Sequence, residues 1–134
     1  MQVEESVRGE VGRGRDVIHI SSHSFTPMLD GVVRNADVGL LYDPRRPGEA
    51  ALCVRWQALL ASMVPELRVR RNYPYAGESD GLTSYLRKRF STKAYVGIEL
   101  EVNQAIVAAG GRRWTAVRAV LVESLRAASG FSGP

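Results

Sequence analysis

The spacing of apolar positions changes along the chain, and each change predicts an element. Val17-Ile18-His19-Ile20 opens an apolar, β-branched run that predicts a buried strand over 16–22. Pro27 has no N–H to give a sheet ladder, so that strand is expected to end near His23, ahead of a turn at Asp30-Gly31. Val38 to Tyr42 reads as a second short strand closed by Asp43-Pro44. From Glu49 the period lengthens: Leu52, Trp56, Leu59, Leu60 and Met63 recur at helical spacing until Pro65 stops them. Leu67, Val69 and Arg71 alternate with polar neighbours and predict a third, half-exposed strand. Asp80 is placed to cap a helix over 82–90, whose last turn (Arg87, Lys88, Arg89) suits the helix dipole. Alternation returns over 95–102, and a final helix is expected over 114–128 with Val117, Val120, Leu121 and Leu125 facing inward.

This order of elements predicts an α/β fold, a mostly parallel sheet covered by helices. Residues 1–15 are polar, with three glycines and no sustained apolar period, and read as a flexible lead-in that holds at most a short frayed helix. Residues 16–128 form the single domain, and 129–134 read as a loose tail. If the strands run parallel, His23, the 72–77 loop and the segment 99–104 converge on one edge of the sheet, where open α/β folds place their chemistry.

Composition narrows the functional classes. The net charge of +4 comes from sixteen arginines and two lysines, scattered rather than striped along one element, which argues against a nucleic-acid surface. The single cysteine, Cys53, excludes an internal disulfide and a cysteine-based zinc cluster, and fits a reducing compartment. With no apolar run of spanning length and no apolar signal core, the expected location is the cytoplasm and no membrane partner is expected.

Two places carry candidate chemistry. His19 and His23 share the odd positions of the first strand and therefore one face. Glu99 and Glu101 share one face of the last strand, about 6.6 Å apart. Carboxylates in an otherwise apolar strand are costly without a cation or metal nearby. The plainer alternatives are that His19 is packed, that the two acids are a solvated face paired with arginines, and that Arg34, Tyr73 and Tyr75 are surface and loop packing.

Taken together, His23-Ser24-Phe25-Thr26-Pro27 with Gly31 and Arg34, Asp37 to Asp43, Asn72-Tyr73-Pro74-Tyr75-Ala76-Gly77 and Gly97 to Gln104 resemble the C-terminal half of the N-formylglutamate amidohydrolase family, over 17–125. The resemblance implies a zinc-exopeptidase-like architecture, a mixed, mostly parallel sheet flanked by helices, and zinc-assisted hydrolysis of the amide of N-formyl-L-glutamate or another N-acyl amino acid. On that pattern His23 is a zinc ligand, and Glu101, or alternatively Glu99, is the carboxylate that moves the proton of a metal-activated water. Arg34 would hold a substrate carboxylate or oxyanion, with Asn72 and Tyr75 as polar pocket groups.

The chain departs from the family in length and in histidine. Members are about twice as long, and the histidine block of their first half has no counterpart before Val17. The expectation is an incomplete domain, a truncated and inactive form that holds zinc weakly, if at all, as a monomer and associates through an exposed sheet edge. The alternative function is a non-catalytic module that binds an anionic ligand or another protein.

Overall fold

The computed structural model describes residues 2–78 and 81–130. The elements run α1 (Gln2–Gly12), β1 (Val17–Phe25), β2 (Met28–Leu29), β3 (Val32–Val33), β4 (Val38–Leu41), α2 (Pro47–Met63), β5 (Val69–Arg71), α3 (Leu82–Arg87), β6 (Tyr95–Asn103), α4 (Gln104–Ala109) and α5 (Gly111–Ser129). Four strands form one sheet in the order β1-β6-β4-β5. β1 pairs parallel with β6 and β4 parallel with β5, while β4 and β6 are antiparallel. The fold is α/β with a mixed, mostly parallel sheet flanked by helices.

Alternation along the strands sorts side chains onto two faces. Val38 and Leu40 of β4 and Ile98, Leu100 and Val102 of β6 point into the main core. There they meet Leu52, Cys53, Trp56 and Leu60 of α2 and Leu121 and Ala128 of α5. The indole N–H of Trp56 donates to Ser124 Oγ at 2.8 Å and the Tyr42 hydroxyl accepts from Arg71 at 2.9 Å, so both buried polar-tipped aromatics of this cluster are satisfied. On the other face, Tyr95 packs with Leu86, Phe90 and Val7. That second cluster covers only the Tyr95 end of the face, and the other end carries polar side chains beside the buried Phe25.

Several expectations change. The segment predicted as a flexible lead-in contains α1, whose Val7 is buried against Leu86, Phe90 and Tyr95. Glu4 fixes it further, accepting the Tyr85 hydroxyl at 2.7 Å and pairing with Arg8 and Arg89. Val3 and Val11 pack on the same cluster, so the buried stripe is Val3, Val7 and Val11 at four-residue spacing, one side chain wide and set among charged residues and glycines. β1 continues past His23 to Phe25, because its ladder to β6 persists through Phe25↔Asn103 and Pro27 lies beyond the last pair. The Asp30-Gly31 turn joins a small hairpin, with both residues in the left-handed region (φ 51° and 77°) as a tight two-residue turn requires. Asn103 caps the unexpected short helix α4, its side chain accepting the Ala105 N–H at 2.9 Å. Asp80 and residues 131–134 of the expected tail lie outside the described residues; Ser129 ends α5 and Gly130 follows in the left-handed conformation. Among the described residues no helix is long and apolar enough to cross a membrane.

Candidate functional site

The site sits on the polar end of the second sheet face. Parallel register sets His19 beside Gly97, Ser21 beside Glu99 and His23 beside Glu101. The antiparallel partner of Glu101 on the far side is Gly39. His23 and Glu101 are therefore lateral neighbours on adjacent strands, with side chains on the same face.

The expected convergence on one edge needs correction. Because β6 runs antiparallel to β4, the C-terminal ends of β1 and β6 lie at one edge of the sheet and those of β4 and β5 at the opposite edge. The 72–77 loop leaves from that opposite edge and reaches the site by folding back across the face. Two glycines, Gly39 in β4 and Gly77 in the loop itself, let it lie flat: a Cβ at Gly39 would run into the Tyr73 carbonyl, and one at Gly77 into the backbone of Leu41 and Tyr42. The returning loop is tied at its tip, the Tyr73 hydroxyl accepting the Asn35 N–H at 3.0 Å and the Tyr75 hydroxyl accepting from Arg34 Nη2 at 3.1 Å.

Each predicted residue now has a place. Glu101 is 6% exposed, and its Oε2 has no hydrogen-bond partner among the described residues. Burial pushes its carboxyl above the usual range; His23 opposes that shift, Glu99 adds to it and Arg34 opposes it. Glu99 faces a different neighbourhood, accepting the Thr83 hydroxyl of α3 at 3.1 Å. The two acids, equivalent by spacing, are thus separated by what surrounds them. His23 is exposed, with Nε2 3.0 Å from Ser21 Oγ. Arg34 is buried to 8% exposure, yet its guanidinium has only neutral hydrogen-bond partners, the Tyr75 hydroxyl and, at 3.3–3.4 Å, Thr26. Its ring contacts are Phe25 and Tyr75. Among the described residues it has no ion pair, which for a buried cation leaves room for an anionic ligand.

Asn72 plays a different part from the pocket group expected. It takes the left-handed conformation (φ 52°), and its Oδ1 accepts the N–H groups of Tyr42 and Gly77 at 3.0 Å each, which folds the loop. His19 lies further down the face, its Nδ1 hydrogen-bonded to the Tyr95 hydroxyl at 2.8 Å, and burial lowers its pKa.

Sequence reasoning missed the anchor beneath this face. Glu49 at the start of α2 is fully buried and accepts the N–H groups of Asp43 and Gly97. Arg87 Nη2 approaches its Oε1 to 2.9 Å and Arg46 Nε its Oε2 to 3.3 Å. Arg46 then caps the carbonyls of Arg87, Phe90, Ser91 and Tyr95. The available signals were the Arg46–Glu49 spacing around Pro47, and Gly97 inside a strand.

Among the described residues no three histidine, cysteine, aspartate or glutamate side chains are grouped closely enough to hold a metal ion. His23 and Glu101 supply two donors, one short of the set that holds zinc while keeping a position open. The residues of one copy do not fit the zinc that the resemblance implies.

No family model and no curated protein matches the chain. Its structure is similar to the crystal structure of gene product Atu2144 from Agrobacterium tumefaciens, with a TM-score of 0.76 and 28% identity. The similarity covers 96% of this chain and 48% of that one, so this chain spans about half the length of the structure it matches.

Proposed function

We propose that this chain carries the proton-transfer and anion-binding part of a hydrolase site for N-formyl or other N-acyl amino acids, of the N-formylglutamate amidohydrolase type. The observation that supports this reading is the electrostatic proximity of a buried carboxylate and a buried guanidinium, the first with an unpartnered oxygen and the second with no ion pair among the described residues. Arg34 holds the α-carboxylate of the substrate, for which a planar guanidinium is well matched. Glu101 takes a proton from the attacking water and returns it to the leaving amine. Its raised pKa brings it closer to working pH, which suits a group that must both accept and release a proton. His23 sits against Glu101 and steadies the charge that Glu101 carries when ionised. Tyr75 orients Arg34 rather than touching the reacting bond. Glu99, engaged by Thr83, takes no part in proton transfer.

The test is formate release from N-formyl-L-glutamate by the purified chain with zinc supplied, alongside Glu101→Gln and Arg34→Met. The expected result is release that falls by about 10²-fold or more in Glu101→Gln, and a raised KM in Arg34→Met. Release that is unchanged by Glu101→Gln would overturn the assignment. The shortage of metal donors favours a second reading, a non-catalytic module for anionic ligands. It predicts N-formyl-L-glutamate binding that depends on Arg34, with no formate formed by any variant.

A further inference from the structure

β1 is one of the two edge strands of the sheet, far longer than β5 at the other edge, and its outer side is unpaired among the described residues. The Val17 N–H bonds the Ala94 carbonyl, so the odd residues of β1 direct their backbone groups toward β6. The even residues Ile18, Ile20, Ser22 and Ser24 direct theirs outward, one N–H and one C=O each, eight groups in all. A row of this kind is a template for another strand.

One pairing satisfies every member of the row. If a second copy aligns its own β1 antiparallel about a two-fold axis at Ser21, Ile18 pairs with the second copy's residue 24 and Ile20 with its residue 22. The reciprocal pairs follow by symmetry, and all eight groups on each copy are bonded. Shifting the axis by one residue leaves at least one of the four residues without a partner in the row.

Two further features fit this arrangement. Under the first half of β1, a groove of about 430 Å³ is lined by Ile18, Ile20, Val122 and Leu125, with Asp16 and Arg126 at its rim. Just beyond the other end of β1, the β2–β3 hairpin exposes Met28, Leu29, Val32 and Val33. Antiparallel pairing brings the hairpin of each copy to the end of the strand where the other copy's groove lies. A contiguous apolar patch at each end of one edge is what a self-complementary surface presents.

The same register has a chemical consequence. His23 faces the second copy's residue 19 in a non-hydrogen-bonded pair, where side chains approach most closely and Cα atoms lie about 4.5 Å apart. The Nδ1 of that histidine is held by a tyrosine hydroxyl, and among the described residues its Nε2 has no partner. We propose that two copies of this chain join through β1 about a two-fold axis at Ser21, and that each seam site, His23 and Glu101 of one copy with the histidine at position 19 of the other, has the three donors for a divalent metal that one copy lacks. A tyrosine holding the far ring nitrogen is the kind of outer support that metal-binding histidines use. This inference does not depend on amide hydrolysis.

The first measurement is the mass of the purified chain by light scattering, without added metal and at micromolar concentration, where a dimer is expected. Ser21→Cys should give a disulfide-linked dimer under mild oxidation, since the paired Cα separation falls within the span of a disulfide. Cys53 is buried and its thiol is pushed up to about 12, so it does not compete. His19→Cys and His23→Cys should not self-link, because each lies opposite the other position. Ser22→Pro removes a central outward N–H on an exposed edge residue and should yield a folded monomer. Zinc, titrated as the probe, should bind at one ion per chain and be lost in His19→Gln while the dimer persists. A monomer at all concentrations would overturn the proposal. A dimer in which Ser21→Cys fails to link would overturn the register, and a linked dimer that takes up no zinc would overturn the shared donor set.

Discussion

Replacing Glu49 with alanine tests whether the buried ionic knot holds the site's sheet together. The carboxylate receives two backbone N–H groups and lies within 2.9 Å of Arg87 and 3.3 Å of Arg46, with no solvent to take its place. Removing it leaves two buried guanidinium groups without a counter-charge, a loss of about 3–5 kcal/mol for a broken buried pair. The orphaned N–H of Gly97 matters beyond stability, because Gly97 lies two residues before Glu99 in β6 and beside His19 of β1. A domain of this size has about 5–15 kcal/mol in total, so the variant should lose roughly a fifth or more of it. The melting temperature should fall by about 10–25 °C, from ~3–5 °C per kcal/mol. Urea unfolding followed by far-UV circular dichroism measures the loss directly, provided the slope with denaturant stays constant. Arg45→Ala is the internal control: Arg45 is largely exposed where it pairs with Asp43 at 3.0 Å, and such a pair contributes about 0–1 kcal/mol. A Glu49→Ala loss no larger than that of Arg45→Ala would refute the view that this knot, rather than apolar packing alone, orders the start of β6.

Three other outcomes follow from the same reasoning. Glu101→Gln should raise the urea midpoint at pH 7 by an amount on the order of 1 kcal/mol, since it removes a buried charge kept for function. Because the Glu101 carboxyl titrates above its unfolded value, its ionisation costs stability as pH rises through the folded pKa, so the gain over wild type should vanish below the usual carboxylate range. His19 has the opposite behaviour for a base: its lowered pKa means that wild type loses stability as pH falls below the unfolded value of 6.5, and His19→Gln should flatten that part of the pH–stability profile. Gly39→Ala should push the Tyr73 carbonyl off the sheet at a cost of about 1–3 kcal/mol and weaken anion binding by freeing Arg34 from Tyr75, as titration with N-formyl-L-glutamate would report.

Local pattern was enough to place most of this chain. The α2 stripe from Leu52 to Leu60, the alternation of β6 and the paired odd positions of β1 all follow from the period of the side chains, because burial on one face acts residue by residue. The same period put Glu99 and Glu101 on one face with His23, and the parallel ladder joined those faces. What no local pattern contains is the direction of β4 relative to β6, which decides that the 72–77 loop starts at the far edge and must cross the sheet over Gly39. Tertiary structure also told the two acids apart: Thr83, contributed by a separate helix, engages Glu99, while burial and an Oε2 without a partner among the described residues single out Glu101. Side-chain alternation is a property of one strand, but solvation and hydrogen-bond partners belong to whatever the rest of the chain packs nearby. That is why candidate residues were legible in the sequence and their environments were not.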